Sequence, residues 1–179
     1  KNKDIRLIQY LCNCHDQQSV KLAEDNGFSF KDIRITFKKQ LINKTVINLN
    51  NNLVFREAKT SDIPYLKKIS KDIYLDSRYY FDNNFDKKDV SEFYMNWVEK
   101  AVTRKFDDVC YVLNLDDNIV AYCTVKYKNI YQANIGLVGV DSAYKNNGFG
   151  EIIINLVSNI LFEKGLRDLF VITQGRNYG

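Results

Sequence analysis

The run Lys145-Asn146-Asn147-Gly148-Phe149-Gly150 places two of the chain's eight glycines between a strand-like segment and an amphipathic one. At the start of a helix the backbone N–H groups lack intrahelical partners and carry partial positive charge, so they attract an anion. Glycine lets phosphate oxygens reach main chain that a Cβ would screen, and Lys145 adds a mobile charge. Residue types and spacing therefore point to a phosphate or pyrophosphate site. A tight turn or close helix–strand packing would use the same two glycines. A phosphate-binding loop of the Gly-Lys-Ser/Thr kind is excluded, because Gly150 is followed by Glu151 and Ile152. The dinucleotide fingerprint fails too: position 153 is Ile153, and the motif comes late in the chain.

A second constellation lies in "DSRYYFDNNFD", residues 76–86. Arg78 has the fork geometry for bidentate phosphate binding, and Tyr79, Tyr80 or Phe85 offers a face for stacking, with Asp82 among them. For Arg78 the plain alternative is a surface ion pair. Tyr94 and Trp97 sit at helical spacing and read as core. Cys12 and Cys14 flank Asn13 ahead of His15, the chain's single histidine. Cys110 and Cys123 lack ligand spacing, so no metal is expected, and Cys12 and Cys14 read as small hydrophobes on one strand face. His15 reads as structural or solvated.

These residues need positioning elements. Ile5–Cys12 is strand-like, Asp16–Asn26 helical with Gly27 as its stop, and Phe28–Phe37 a second strand broken near Lys31-Asp32. Residues 41–52, "LINKTVINLNNN", read as a linker. Beyond it, "LVFREA" predicts a strand, Thr60 caps a helix running to about Tyr74, and Lys87–Lys105 is a long helix. Strands follow at 109–115, 119–126 and 132–140, with Asp116-Asp117-Asn118 as the first turn. Phe149, Ile152, Ile153, Leu156, Val157, Ile160 and Leu161 then share one helix face. Lys164-Gly165 ends that helix, and "LRDLFVITQ" gives a last strand. Helices flanking a largely antiparallel sheet make a mixed α/β domain.

Composition limits the class. A chain of 179 residues with 45% hydrophobic and 27% charged residues suits one globular domain with a small appendage. Its net charge of +4 carries no dense basic run, so no nucleic-acid partner is expected, and no apolar run is long enough for a membrane. The cysteine pattern suits a reducing cytoplasm. An opening Lys1 instead of Met predicts that the natural N-terminus lies upstream.

The motif Lys145–Gly150, set between Val138-Gly139-Val140 and a long amphipathic helix after an antiparallel meander, resembles that of the GCN5-related N-acetyltransferase (GNAT) family. The family's motif is Arg/Gln-x-x-Gly-x-Gly/Ala, matched here with lysine in first place. The element order over 53–177 agrees with the family. "FYMNWVEKAVTRKFDDVCYVL", "ANIGLV", "FVITQGRN" and the 76–86 loop are similar to the branch of bacterial dTDP-fucosamine acetyltransferases. "IQYLCNCHDQQSVKLAEDNGFSFKDIRITF" also fits that branch, which carries a partial acetyltransferase-like half in front. The resemblance spans about residues 5–177. It implies a half-domain at 1–45 and an acetyl-CoA-binding domain at 53–179.

What the resemblance implies for chemistry is direct attack of an amine on the thioester in a ternary complex, with acetyl-CoA as co-substrate. The Val138 N–H becomes the oxyanion donor, Val138 and Val140 hold the pantetheine arm, and Lys145, Asn146, Gly148, Phe149 and Gly150 hold the pyrophosphate. Asn177 matches an asparagine that contacts the arm. Arg78, Tyr79, Tyr80, Asp82 and Phe85 fall where the family binds its acceptor, here a nucleotide-linked amino sugar used in cell-surface polysaccharide synthesis. Residues 118–140 contain no Asp or Glu, so the amine is expected to lose its proton through water and backbone carbonyls. No tyrosine stands where the family places its general acid: Tyr178 directly follows Asn177, and the family's last helix and two strands have no counterpart, which predicts a missing C-terminal end. A different small amine, a protein N-terminus, or CoA binding without catalysis are the alternatives. A homodimer and a monomer both stay open.

Overall fold

The fold is given by a computed structural model that describes residues 4–5, 7–47, 49, 52–71 and 73–177. By its internal contacts the chain divides into residues 1–32 and 33–179.

In the first unit, helix α1 (Gln17–Asp25) starts at Asp16, whose carboxylate accepts from the Ser19 N–H and hydroxyl. The strand expected at Ile5–Cys12 does not form among the described residues. Ile5, Leu7, Ile8, Tyr10 and Leu11 do not alternate and lie exposed, and a strand with no ladder partner leaves its backbone groups unpaired. Cys12 and Cys14 therefore share no strand face; Cys12 is half-buried and Cys14 exposed.

The second unit is built on six strands: β1 (Arg34–Gln40), β2 (Leu53–Glu57), β3 (Val109–Leu115), β4 (Asn118–Asn129), β5 (Gln132–Val140) and β6 (Asp168–Gln174). Their order is β1-β6-β5-β4-β3-β2, antiparallel except for the β5–β6 pair. The strand at 34–40 thus belongs to this sheet and pairs with β6, residue Arg34 opposite Gln174. One right-sized crossover, helix α5 (Phe149–Glu163), joins the parallel pair.

β3 reads as an unbroken buried run because the sheet is covered on both faces. Val109, Tyr111 and Leu113 face α5 through Phe149, Ile153, Val157 and Leu161. Cys110 and Val112 face the opposite layer, where α2 (Ile63–Lys71) and α4 (Lys87–Val102) supply Leu66, Ile69, Val90, Tyr94, Val98 and Ala101. Tyr94 is buried and Trp97 half-buried in this layer, as helical spacing predicts.

Several boundaries differ from expectation: the second strand starts at Arg34, not Phe28, α4 ends at Val102, not Lys105, and β4 runs on to Asn129. The described part of 41–52 is docked on α5: Leu41 is buried, and Thr45 exchanges N–H and C=O bonds with the Asn159 amide at 2.8 Å each. Thr60 does not cap α2. A short turn, Thr60–Asp62, comes first, and Asp62 takes the capping role by accepting from the Lys59 N–H at 2.7 Å while gripping Arg56 through two bonds. The loop at 76–86 contains a further helical turn, α3 (Arg78–Phe81), capped by Ser77.

Candidate active site

The site begins where β5 parts from β6. Among the described residues their pairing stops at Ile135–Val171, while β5 runs on to Val140 and β6 stays paired with β1. A bulge marks the parting: Thr124 of β4 faces both Gly136 and Leu137, and its buried hydroxyl accepts the Leu137 N–H at 2.8 Å. Past the bulge the ladder phase is fixed by the Asp141 N–H, which donates to the Val120 carbonyl at 2.9 Å. Tyr122–Gly139 is then a hydrogen-bonded pair, and Cys123–Val138 and Ala121–Val140 are not. The N–H and C=O groups of Val138 and Val140 therefore point away from β4, into the gap between β5 and β6.

Helix α5 opens beside that gap. Its N-cap, Gly148, has φ +76° and no side chain to bond the first-turn amides; a β-carbon is disfavoured at this dihedral. Space around the Gly148 Cα is open: apart from its chain neighbours and its own helix, nothing lies within 4 Å of a Cβ built there. A Cβ on Gly150 would stand 3.6 Å from Val140 Cγ2, so helix start and strand end lie within van der Waals reach. Phe149 is buried in the core and offers the site its N–H alone. Lys145 and Asn146 are exposed, Asn146 in a left-handed conformation. Asn147 braces the turn by donating to the Tyr144 and Lys145 carbonyls. The turn is tied to α2 as well, since the Tyr65 hydroxyl donates to Asp141 at 2.8 Å. Burial, then the Asp141 carboxylate, pushes that phenol up to about 12. Uncapped donors, open space and a free strand edge fit a ligand with a pyrophosphate at one end and an amide-bearing arm at the other.

On the other face of β5, Tyr74, Tyr122 and Ser70 form a chain of hydroxyls that the sequence reading did not single out. Ser70 Oγ bonds the Leu66 carbonyl and lies 2.8 Å from Tyr122 Oη. Tyr122 Oη lies 2.6 Å from Tyr74 Oη, which in turn lies 3.1 Å from the Val138 carbonyl oxygen. Burial raises both phenols well above the ordinary tyrosine range, so the chain stays neutral. Gly139 makes the packing fit, since a Cβ there would fall 2.3 Å from Tyr122 Cε1. Asp107, 3% exposed, was also missed; it accepts from Trp97 Nε1 at 2.8 Å. Single tyrosines and aspartates carry no spacing signal, and only the fold brings these together.

The expected acceptor residues gather on and after α3. The Arg78 guanidinium lies 4.7 Å from the Tyr79 ring centre and donates to its hydroxyl, while its Nε is buried without a hydrogen-bond partner. Tyr79 packs edge-on against Phe85 and Phe93. The Tyr80 hydroxyl bonds Ser91 Oγ and the Lys71 carbonyl, and buried Asp82 accepts from the Asn84 backbone and side-chain amides. Arg176, just past β6, lies 3.6 Å over the Phe81 ring. Asn177 is exposed, its amide donating to Thr173 Oγ1 at 2.8 Å; Tyr178 lies outside the described residues.

The sequence profile of the acetyltransferase (GNAT) family matches residues 71–179. The chain belongs to the acetyltransferase (GNAT) family. GNAT relatives of known structure share its fold: a GCN5-related N-acetyltransferase from Sphaerobacter thermophilus (TM-score 0.67, 12% identity, covering 92% of this chain and 50% of that one). Another structure with this fold is described as "a possible acetyltransferase" from Clostridium difficile 630 (TM-score 0.57, 18% identity, 72% and 84% covered). A third is the PaiA N-acetyltransferase of Thermoplasma acidophilum, solved with coenzyme A (TM-score 0.51, 12% identity, 64% and 74% covered). By sequence the chain is similar to a dTDP-fucosamine acetyltransferase of Escherichia coli O6:H1 strain CFT073, 30% identical over 122 residues. The match covers 67% of this chain and 51% of the relative, so the chain spans about half the length of that curated relative.

Proposed function

We propose that the protein transfers an acetyl group from acetyl-CoA to the amine of a nucleotide-linked amino sugar of the dTDP-4-amino-4,6-dideoxygalactose type. The observation that carries the reading is the free inner edge of β5 at Val138 and Val140 beside the uncapped start of α5. When bound, acetyl-CoA supplies an activated acetyl carbonyl and a thiolate leaving group. The chain's own residues do the rest. First-turn amides around Gly148, Phe149 and Gly150, with the Asn146 N–H and Lys145, would hold the pyrophosphate. Backbone groups of Val138 and Val140, with Asn177, would hold the pantetheine arm. The Val138 N–H would meet the carbonyl oxygen as negative charge grows on it, and a preorganised amide is an effective donor there.

Arg78 would pair with the sugar diphosphate, its fork already oriented by the Tyr79 ring. Tyr79, Tyr80 and Phe85 frame the same turn for the nucleobase and sugar, with Asp82 holding the turn's shape. The sugar assignment draws support from the similarity to a dTDP-fucosamine acetyltransferase. We place the protein in the cytoplasm, where acetyl-CoA and nucleotide sugars meet. No helix among the described residues is long and apolar enough to cross a membrane.

The test is thiol release from acetyl-CoA by the full-length protein, with dTDP-4-amino-4,6-dideoxygalactose as acceptor. Turnover that depends on the sugar amine supports the reading. Binding of CoA with no turnover would remove the sugar assignment and leave the CoA site.

A further inference from the structure

The hydroxyl chain behind β5 can be counted proton by proton. It runs from the Leu66 carbonyl through Ser70, Tyr122 and Tyr74 to the Val138 carbonyl. Both ends are carbonyls and only accept. Three hydroxyls supply three protons, yet the chain has four oxygen–oxygen contacts, all between 2.6 and 3.1 Å. Whatever way the hydroxyls turn, one contact lacks a proton and sets lone pair against lone pair. The longest contact, Tyr74 to Val138, is the one at the β5–β6 gap. If all three hydroxyls turn inward, Tyr74 to Tyr122, Tyr122 to Ser70 and Ser70 to Leu66, the unfilled position falls between Tyr74 Oη and the Val138 carbonyl. The site then presents two acceptor oxygens about a hydrogen bond apart, facing the gap beside the proposed oxyanion donor.

We propose that this pair receives the substrate amine: one N–H to the Val138 carbonyl, one to Tyr74 Oη, with Tyr122 and Ser70 as positioning residues, Tyr122 accepting the Tyr74 hydrogen bond and Ser70 that of Tyr122. The inference rests on the acetyltransferase reading above. It gives the amine an orientation as well as a place. With both N–H groups held by the pair, its lone pair is left for the carbonyl carbon that the Val138 N–H polarises. As the nitrogen becomes positive its N–H groups become stronger donors, so these bonds tighten toward the transition state. The Val138 carbonyl has two lone pairs and can serve the amine while retaining a second bond.

Tyr122→Phe is the sharp test, because Tyr122 itself does not reach the Val138 backbone. Without its hydroxyl, Ser70 still bonds Leu66 and Tyr74 has the Val138 carbonyl as its one partner. The Tyr74 proton then lies between the two oxygens, in the position the amine N–H groups would fill. The expected result is a rise in the KM for the amino sugar of about tenfold, one hydrogen bond's worth. The KM for acetyl-CoA should stay unchanged and the melting temperature should stay within about 4 °C of wild type. Tyr74→Phe should raise the same KM, and the double variant should be no worse than Tyr74→Phe alone, since Tyr122 acts only through Tyr74. Wild-type turnover with an unchanged amine KM in Tyr122→Phe overturns the inference and leaves the function standing. A rise confined to the acetyl-CoA KM overturns it as well, by giving the carbonyl to the cofactor arm. Absence of turnover in the wild type, with CoA bound, overturns the assigned reaction and the inference together.

Discussion

The two faces of the sheet are built differently. Under α5 the buried layer is almost wholly apolar, from Leu113 and Val125 to Ile153, Val157 and Leu161, and the candidate ligand contacts are main-chain amides. Under α2 and α4 the layer buries Ser70, Ser77, Ser91, Asp107 and Thr124 among its hydrophobes, and the candidate contacts are side chains. A cofactor shared across many proteins suits backbone recognition, which tolerates sequence change as long as strand and helix geometry persist. An acceptor that differs between proteins calls for side chains, each of which must be oriented by others. Buried polar networks are costly when half-satisfied, so the acceptor face should be the more sensitive to single substitutions.

The largest effect expected is at Gly139, where β5 meets the tyrosine chain. A Cβ would fall 2.3 Å from Tyr122 and 2.5 Å from Ile73 Cδ1, and neither a buried ring nor its strand can yield cheaply. Gly139→Ala should lower stability by about 3 kcal/mol, read by urea denaturation, and remove turnover. Next comes Trp97→Phe, which leaves buried Asp107 without its indole donor. A loss of about 2 kcal/mol is expected, with CoA binding retained because the α5 face is untouched. Equal damage to CoA affinity would dissolve the distinction between the faces.

On the α5 face, Gly148→Ala forces a β-carbon into a left-handed N-cap. It should cost about 1–2 kcal/mol and weaken CoA about tenfold in equilibrium dialysis, while the amine KM holds. The smallest effect belongs to Asp62, whose carboxyl is held below the usual carboxylate range, first by hydrogen bonds from Arg56. A depressed folded pKa means that this stabilisation is present at neutral pH and is lost as pH falls through the folded value. Asp62→Asn should cost about 1 kcal/mol at pH 7, and the difference from wild type should close in acid, measured by melting at a series of pH values.

How much was legible follows the same division. The α5 helix, its glycine start and the three-strand meander announce themselves because each is a local pattern: a 3.6-residue apolar stripe, alternation, and turn residues at the joints. Thr60 misled because the cap came from Asp62, which the bidentate grip on Arg56 holds back toward Lys59. Ile5–Cys12 misled because apolar content was read as a strand where no ladder forms among the described residues. The 41–52 segment looked like a linker since its contacts, the Leu41 N–H with the Arg167 carbonyl and Thr45 with Asn159, come from residues more than a hundred positions away.

By itself the sequence determined most of the elements from Leu53 on, their order and the glycine-bearing start of α5, since those depend on neighbours within one or two turns. Tertiary structure alone decided which carbonyls face the β5–β6 gap, that Tyr74, Tyr122 and Ser70 meet in one chain, and that Asp107 lies under Trp97. Strand phase, bulge position and the convergence of side chains 48 and 52 residues apart are set by packing between elements. No local pattern of residues encodes them.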